Sequence, residues 1–130
     1  MIKEMEAVME LKTVTIERTV EACHMASVMK SGSLEVLATP QMIAWMEEAA
    51  CLCLDLDDSQ TSVGISMQTT HDAPSPLGAN ISITATMTEV KGRKVSYDVE
   101  AKDGQTIIGK GKHVRFIVDT EKFLSKVYPK

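Results

Sequence analysis

Three polar residues, Thr39, Glu47 and His71, stand at positions where the neighbouring sequence is largely apolar or marks the end of a strand. A hydroxyl, a carboxylate and an imidazole together suit acyl transfer, in which one group attacks or activates water, one positions the substrate and one moves a proton. Each also has a plain structural interpretation: Thr39 as a helix cap, Glu47 as a side chain that reaches solvent or nearby backbone, and His71 as a structural histidine. The chemistry therefore depends on whether the fold brings the three together.

Glu47 lies in the middle of a long apolar segment, residues 38–54, that predicts a central helix of about four turns covered by protein on most sides. Thr39 is a good N-cap, and Pro40 suits the first helical position, where its missing N–H costs nothing. On a helical wheel Glu47 falls among apolar residues, with no Lys or Arg three or four residues away, whereas Glu48 points to the more polar side. An unpaired carboxylate on such a surface is typical of a catalytic site, so we identify Glu47 as the candidate.

Alternating apolar residues predict five strands, one before the central helix and four after it. Their expected ranges are 11–20, 61–70, 79–90, 94–101 and 105–118, with short helices over 21–30 and 121–128. Tight turns join the last three strands, and connections that short cannot hold crossover helices, so these strands form an antiparallel meander. Gly64, inside the second strand, indicates a bulge or the close approach of another backbone or a ligand.

One strand, a long buried helix and then four antiparallel strands predict an α+β fold of the hot-dog type, with residues 1–130 as a single domain. In this fold a curled antiparallel sheet of about five strands wraps round one long central helix. Such a sheet leaves one flank of the helix and one edge strand uncovered, and pairing with a second copy would cover both. We therefore expect a homodimer and leave association into a tetramer open.

The composition argues against several classes of function. A net charge of −4 over 130 residues, without a basic stripe, argues against nucleic-acid binding. No apolar run approaches the roughly 20 residues that cross a bilayer, and the N-terminus lacks the regions of a signal peptide, so we expect a cytoplasmic protein that does not bind membranes.

The chain has an odd number of cysteines, Cys23, Cys51 and Cys53, and the last two are expected in the helix core. This usage suits a reducing compartment. The acidic loop 55–59 lacks the glycine and distal glutamate of a calcium loop, and we expect neither a metal nor a cofactor.

Several motifs resemble the fluoroacetyl-CoA thioesterase family of hot-dog proteins, over about residues 34–127. They include the run from residue 35 through Thr39 to Glu47, the pair Gly64 and His71 seven residues apart, and the segment Gly-Lys-His-Val-Arg that ends at Arg115. The proline-rich turn that ends at residue 78 and the segment 90–99 also match.

The resemblance implies hydrolysis of an acyl-CoA thioester at a site on a dimer interface. Glu47 would be the nucleophile or general base, and Thr39 would position the substrate or water. His71 would orient the carboxylate and help to protonate the departing thiolate. Gly64 would offer backbone near the thioester carbonyl, and Arg115 matches the arginine that the family has near its site; its other interpretation is a surface strand residue paired with a carboxylate.

The chain departs from the family at one place. The fluoroacetyl-specific enzyme has an aromatic gate a few residues before the helix, where this chain has Ser31, Gly32 and Ser33. We therefore leave the acyl group open, together with the choice between coenzyme A and acyl carrier protein as the carrier.

His113 is interpreted as structural. The alternative function is a non-catalytic acyl-CoA or metabolite binding module on the same fold; a hydratase ranks lower because its Asp-x4-His motif is absent.

Overall fold

The computed structural model describes residues 9–129, and the expectation about a signal peptide, which rests on the first residues of the chain, lies largely outside them. Five strands and three α-helices follow one another in the order that the sequence predicts. They are β1 (Thr13–Thr19), α1 (Ala26–Met29), α2 (Thr39–Leu52), β2 (Gln60–Thr69), β3 (Asn80–Lys91), β4 (Lys94–Asp103), β5 (Thr106–Asp119) and α3 (Thr120–Val127).

All five strands belong to one antiparallel sheet with the order β1-β3-β4-β5-β2. The meander predicted for β3, β4 and β5 is confirmed, and so is the α+β hot-dog fold. Strands β1 and β2 are the two edges of the sheet. The pairing of β2 with β5 shifts register between Gly64 and Ser66, so the bulge predicted at this glycine is present.

Helix α2 packs on the inner face of the sheet through five buried residues at helical spacing: Met42, Trp45, Met46, Ala49 and Ala50. Alternate residues of the central strands, such as Ile81 and Ile83 of β3, complete this core. Ala44 and Cys51 lie on the opposite flank and are exposed, so one flank of the helix is uncovered in this chain, as predicted. The expectation that Cys51 belongs to the core is wrong, whereas Cys53 is buried.

The start of α2 is held by backbone bonds and not by a side-chain cap. The helix begins at Thr39, and its N-cap is Ala38, so the prediction that Thr39 caps the helix is wrong. The backbone N–H of Ala38 donates to the carbonyl of His24 at 2.9 Å, and the N–H of Leu37 donates to the carbonyl of Ser75 at 2.9 Å. Two loops therefore fix the entry to the helix, and the Thr39 hydroxyl is available for a bond elsewhere.

The helix expected over residues 21–30 is broken into two pieces. A 3₁₀ turn covers Ala22–His24, and α1 adds only one turn. Met25 between them is extended and buried, and it forms an isolated bridge with Leu37, so packing against the chain before α2 overrides the local helix propensity. The C-terminal helix predicted over residues 121–128 is confirmed as α3.

Candidate active site

Glu47 lies in the middle of α2 and faces strands β2 and β5. Its Oε2 atom lies 3.5 Å from Nη1 of Arg115, and the Arg115 side chain is only 8% exposed whereas that of Glu47 is 42% exposed. A β-carbon built on Gly64 would lie 2.8 Å from the same oxygen, so the absence of a side chain lets β2 approach the carboxylate. The expectation that Glu47 lacks a cationic partner is wrong, because the partner comes from β5 and not from the helix. Glu48 instead pairs with Arg18 of β1 at the surface.

Arg115 is buried on the inner face of β5 and makes several polar contacts. Its Nε donates to the Ser62 hydroxyl at 2.8 Å, and its Nη2 donates to the Ser62 carbonyl at 3.0 Å. Its Nη1, which faces Glu47, also lies 3.2 Å from Nε2 of His113. Arg115 therefore joins β2, β5 and α2, and its interpretation as a surface strand residue is wrong.

His113 is fully buried beside Arg115, and its ring stacks on that of Tyr97 with 5.7 Å between the centroids. Its Nδ1 lies 2.8 Å from the carbonyl oxygen of Ser66. Because a carbonyl can only accept, Nδ1 carries a hydrogen and donates it, which leaves Nε2 to accept from Arg115. Burial lowers the pKa of His113 and the charge of Arg115 adds to this, while the bond to Ser66 and the charge of Glu47 oppose it.

Thr39 and His71 form a second polar group at the start of α2. The Thr39 hydroxyl lies 2.7 Å from Nδ1 of His71, which follows β2 in the chain. Thr39 is exposed and His71 is half-buried. In the described part of the chain, Nε2 of His71 is buried and has no hydrogen-bond partner. Burial lowers the pKa of His71, and the nearby charge of Asp72 opposes that shift.

A cavity of about 270 Å³ opens beside this pair, and Thr39, His71, Ala26, Ser31 and Ala73 are among the residues that line it. Ser31 belongs to the segment where the fluoroacetyl-specific enzyme of the resembled family carries its aromatic gate. None of the described residues that line the cavity is Phe, Tyr or Trp. A larger groove of about 750 Å³ lies on the outer face of the sheet and contains none of the predicted site residues.

The two groups lie apart along α2. Thr39 and Glu47 are eight residues apart, which at about 1.5 Å per residue separates their Cα atoms by roughly 12 Å. Among residues 9–129, no hydrogen bond or ion pair joins Glu47 to Thr39 or His71. The structure thus brings Thr39 to His71, and Glu47 to Gly64 and Arg115, and it keeps the two groups apart.

Ser62 was not predicted from the sequence, and His113 was interpreted as structural. A usable signal was present in β5, where His113, Arg115 and Ile117 share one face of the strand and the residues between them face outward. Two polar residues on the buried face of an alternating strand indicate polar side chains that need hydrogen-bond partners inside the protein.

A single long helix enclosed by a five-stranded antiparallel sheet is typical of hot-dog proteins. The fold matches that of a hot-dog-like protein from Thermanaerovibrio acidaminovorans with a TM-score of 0.82, at 22% identity, over 91% of this chain and 89% of that one.

The chain belongs to the FlK family of fluoroacetyl-CoA-specific thioesterases, whose model matches residues 14–121. It is 38% identical to the fluoroacetyl-CoA thioesterase of Streptantibioticus cattleyicolor over 98 residues. The matched residues cover 74% of this chain and 70% of that protein. A solved structure of the fluoroacetyl-CoA thioesterase FlK superposes with a TM-score of 0.87 at 30% identity, over 92% of this chain and 95% of that one. A variant of FlK solved with fluoroacetate and CoA gives a TM-score of 0.80 at 30% identity, over 87% and 97% of the two chains.

Neither a membrane-spanning helix nor a metal-binding cluster occurs among the described residues. None of the helices within residues 9–129 has the length and apolar character needed to cross a membrane. Over the same residues, no three His, Cys, Asp or Glu side chains are grouped as the ligands of a metal ion would be.

Proposed function

We propose that this thioesterase hydrolyses a small acyl-CoA thioester to the free acid and coenzyme A, at a site that contains Glu47, Thr39 and His71. The position of Glu47 carries the proposal, because its carboxylate lies between a buried arginine and a glycine backbone on a fold of this family. A binding module would need a pocket, but it would not need a carboxylate held in this way. The alternative function has no such observation in its favour.

Glu47 is proposed to start the reaction. One of its carboxylate oxygens attacks the thioester carbonyl carbon, or removes a proton from the water that attacks it. The carbon–sulfur bond then breaks and releases the thiolate of coenzyme A; if Glu47 is the nucleophile, water hydrolyses the resulting anhydride. The contact with Arg115 supports this role because it fixes the direction in which the carboxylate points.

Gly64 is proposed to bring backbone to the carbonyl oxygen of the substrate. It faces Glu47 without a side chain, at the bulge of β2, so a thioester carbonyl can approach the strand there. A hydrogen-bond donor aimed at the developing oxyanion is worth about 3 kcal/mol of transition-state stabilisation.

Thr39 and His71 are proposed to act on the other side of the substrate. Because Nε2 of His71 is buried, the exposed hydroxyl of Thr39 is the polar atom of this pair that best reaches the cavity. When Nδ1 of His71 donates to it, the hydrogen of Thr39 is free to bond the substrate or water. His71 is also the group lining this cavity whose proton can move near neutral pH, and we assign it the protonation of the departing thiolate through Thr39: the hydroxyl gives its hydrogen to the sulfur and takes the hydrogen of Nδ1.

A homodimer through the edge of the sheet is part of the proposal. Within residues 9–129, strand β2 pairs only with β5, and Ile65 on this edge is 55% exposed. A second copy paired along β2 would cover this strand and bring another chain to the region between the two polar groups.

We further propose that residues 1–130 form one domain. We also propose that the protein is cytoplasmic, since Cys23 and Cys51 are exposed free thiols.

The acyl group is proposed to be small but not restricted to fluoroacetyl. The cavity beside Thr39 is bordered by Ser31 and Ala26, so no aromatic side chain of the described residues closes it over the substrate. Without such a gate, we expect fluoroacetyl-CoA and acetyl-CoA to be cleaved at similar rates.

The test is thiol release by the wild-type protein from acetyl-, fluoroacetyl-, branched and aromatic acyl-CoAs, with calorimetry of the same esters as a binding control. We expect turnover of at least one ester, with the fluoroacetyl and acetyl esters within about tenfold of each other, which corresponds to about 1.4 kcal/mol. Binding of these esters without release of thiol would contradict hydrolysis and support the binding module. A strong preference for the fluoroacetyl ester would contradict the role given to the open cavity.

A further inference from the structure

We propose that His113 is a positioning residue of the active site, which fixes Arg115 against Glu47 and keeps the bulge of β2 beside the carboxylate. It touches no substrate atom in this proposal, and it acts through Arg115. The proposal rests on the proposed function for one point only, that Glu47 is the reacting carboxylate.

His113 and Arg115 hold β2 on both sides of its bulge. Arg115 bonds Ser62, two residues before Gly64, at 2.8 and 3.0 Å, and His113 bonds Ser66, two residues after it, at 2.8 Å. Both side chains also lie against the glycine, since a β-carbon built on Gly64 would lie 3.3 Å from Arg115 Nη1 and 3.3 Å from His113 Cε1. Two side chains from one face of β5 therefore fix the point where β2 comes nearest to Glu47.

The same contacts form a closed path that returns to α2. Glu47 contacts Arg115, Arg115 contacts His113, and His113 stacks on Tyr97. The hydroxyl of Tyr97 then donates to the carbonyl of Ala50, three residues after Glu47 in the helix, at 3.1 Å. The carboxylate is thus tied to the backbone of its own helix through three buried side chains.

His113 can fill this place only when it is neutral with its hydrogen on Nδ1. The charged or titratable groups that face it are Arg115 on β5, Glu47 on α2 and Tyr97 on β4. Protonation of Nε2 would set a second donor against Arg115 Nη1, 3.2 Å away, and would place two positive charges side by side. An acidic pH that protonates His113 would therefore displace Arg115 from Glu47.

Two substitutions separate the two bonds of His113. In His113→Gln the amide oxygen can accept from Arg115 in place of Nε2, whereas in His113→Asn the amide nitrogen can donate to Ser66 but the side chain is too short to reach Arg115. We expect His113→Asn to lower kcat by about tenfold or more with KM within about twofold, since a small displacement of a reacting group has effects of this size. His113→Gln should keep kcat within about threefold of the wild type.

Ile83→Val is the matched control, because Ile83 is fully buried in β3 and the change removes one methyl group without touching the polar path. If Ile83→Val lowers kcat as much as His113→Asn at a similar loss of Tm, or if the Gln and Asn variants lose activity equally, the positioning role is overturned. His113 would then be a structural residue.

Nuclear magnetic resonance of the histidine side chains in the wild type tests the same proposal without activity. We expect His113 to be neutral with its hydrogen on Nδ1 at pH 7, and its titration to lie below 6.5, its ordinary pKa. A hydrogen on Nε2, or a titration at or above the ordinary pKa, would overturn the proposal even in an active enzyme. An inactive wild type with the expected His113 spectrum would overturn the proposed function and leave the geometry of His113 as stated.

Discussion

The two polar groups on α2 are built in different ways. Around Glu47, the buried Arg115 bonds Ser62 twice and contacts both His113 and the carboxylate. The polar groups of these residues are therefore largely paired with one another within one chain. Around Thr39, one hydrogen bond to His71 is the main contact, and Nε2 of His71 has no partner in the described residues. The Glu47 carboxylate is therefore preorganised by its own chain. The Thr39–His71 pair still has polar atoms that can bond substrate, water or a second copy.

This difference has an energetic consequence. A buried charged group bonded to several acceptors contributes to folding, because removing it leaves those acceptors without partners. A half-exposed hydroxyl–imidazole bond contributes little, because water can replace either partner. Variants of the first group should therefore affect both stability and activity, and variants of the second group should affect mainly activity.

The largest effect on stability is expected from Arg115→Met, which keeps an unbranched apolar stem but removes the donors of the side chain. The Nε2 atom of His113 and both acceptors of Ser62 would lose their partner, and we expect the free energy of unfolding to fall by about 3 kcal/mol. Urea unfolding measures this change. Arg18→Met is the control, since the Arg18–Glu48 pair lies at the surface and should contribute less than about 1 kcal/mol. Equal effects of the two variants would remove the distinction between the groups.

A smaller effect on stability is expected from His71→Asn, together with a large effect on activity. The amide nitrogen of asparagine can still donate to Thr39 in place of Nδ1, so the substitution should cost no more than about 1 kcal/mol in urea unfolding. Thiol release should fall by about a hundredfold, the size typical of a lost acid–base group. A loss of stability as large as that of Arg115→Met, or activity close to that of the wild type, would contradict the proposed division.

A further effect on stability is expected from pH. Burial lowers the pKa of both His71 and His113 below 6.5, so the unfolded chain binds protons at a higher pH than the folded chain does. The stability that the neutral rings contribute is present above pH 6.5 and is lost as the pH falls below that value, at no more than about 1.4 kcal/mol per histidine and pH unit, and by less for the half-buried His71.

Urea unfolding at pH 7.5 and pH 5.5 measures this loss. The variant His71→Asn with His113→Gln should show a smaller difference between the two pH values than the wild type does. A wild-type stability that rises on acidification, after correction with this double variant, would contradict the direction of both pKa shifts.

The strands and the central helix could be predicted because their apolar residues repeat at the period of each element. The second strand, for example, was expected over residues 61–70 and covers Gln60–Thr69. Gly64 was expected to mark a bulge or a close approach, and it marks both, because an interior glycine leaves room that a side chain would fill.

The partners of the site residues could not be predicted from local patterns. Arg115 reaches Glu47 across 68 residues of sequence, and a helical wheel contains no information about a strand so distant. Thr39 was expected to cap α2, but loop backbones hold the helix start and His71 takes its hydroxyl. The helix expected over residues 21–30 is interrupted at Met25, whose burial against Leu37 is a tertiary contact.

We propose that Glu47, and not its neighbour Glu48, carries the chemistry, and the decisive measurement is kcat/KM of Glu47→Gln and Glu48→Gln on the best acyl-CoA. Both substitutions remove one charge from adjacent positions of one helix and keep the shape of the side chain. We predict that Glu47→Gln lowers kcat/KM by about a hundredfold or more, as expected for a lost nucleophile or base. Glu48→Gln should stay within about twofold of the wild type, since it breaks only a surface ion pair. An inactive Glu48→Gln beside an active Glu47→Gln would contradict the assignment of Glu47 as the reacting carboxylate.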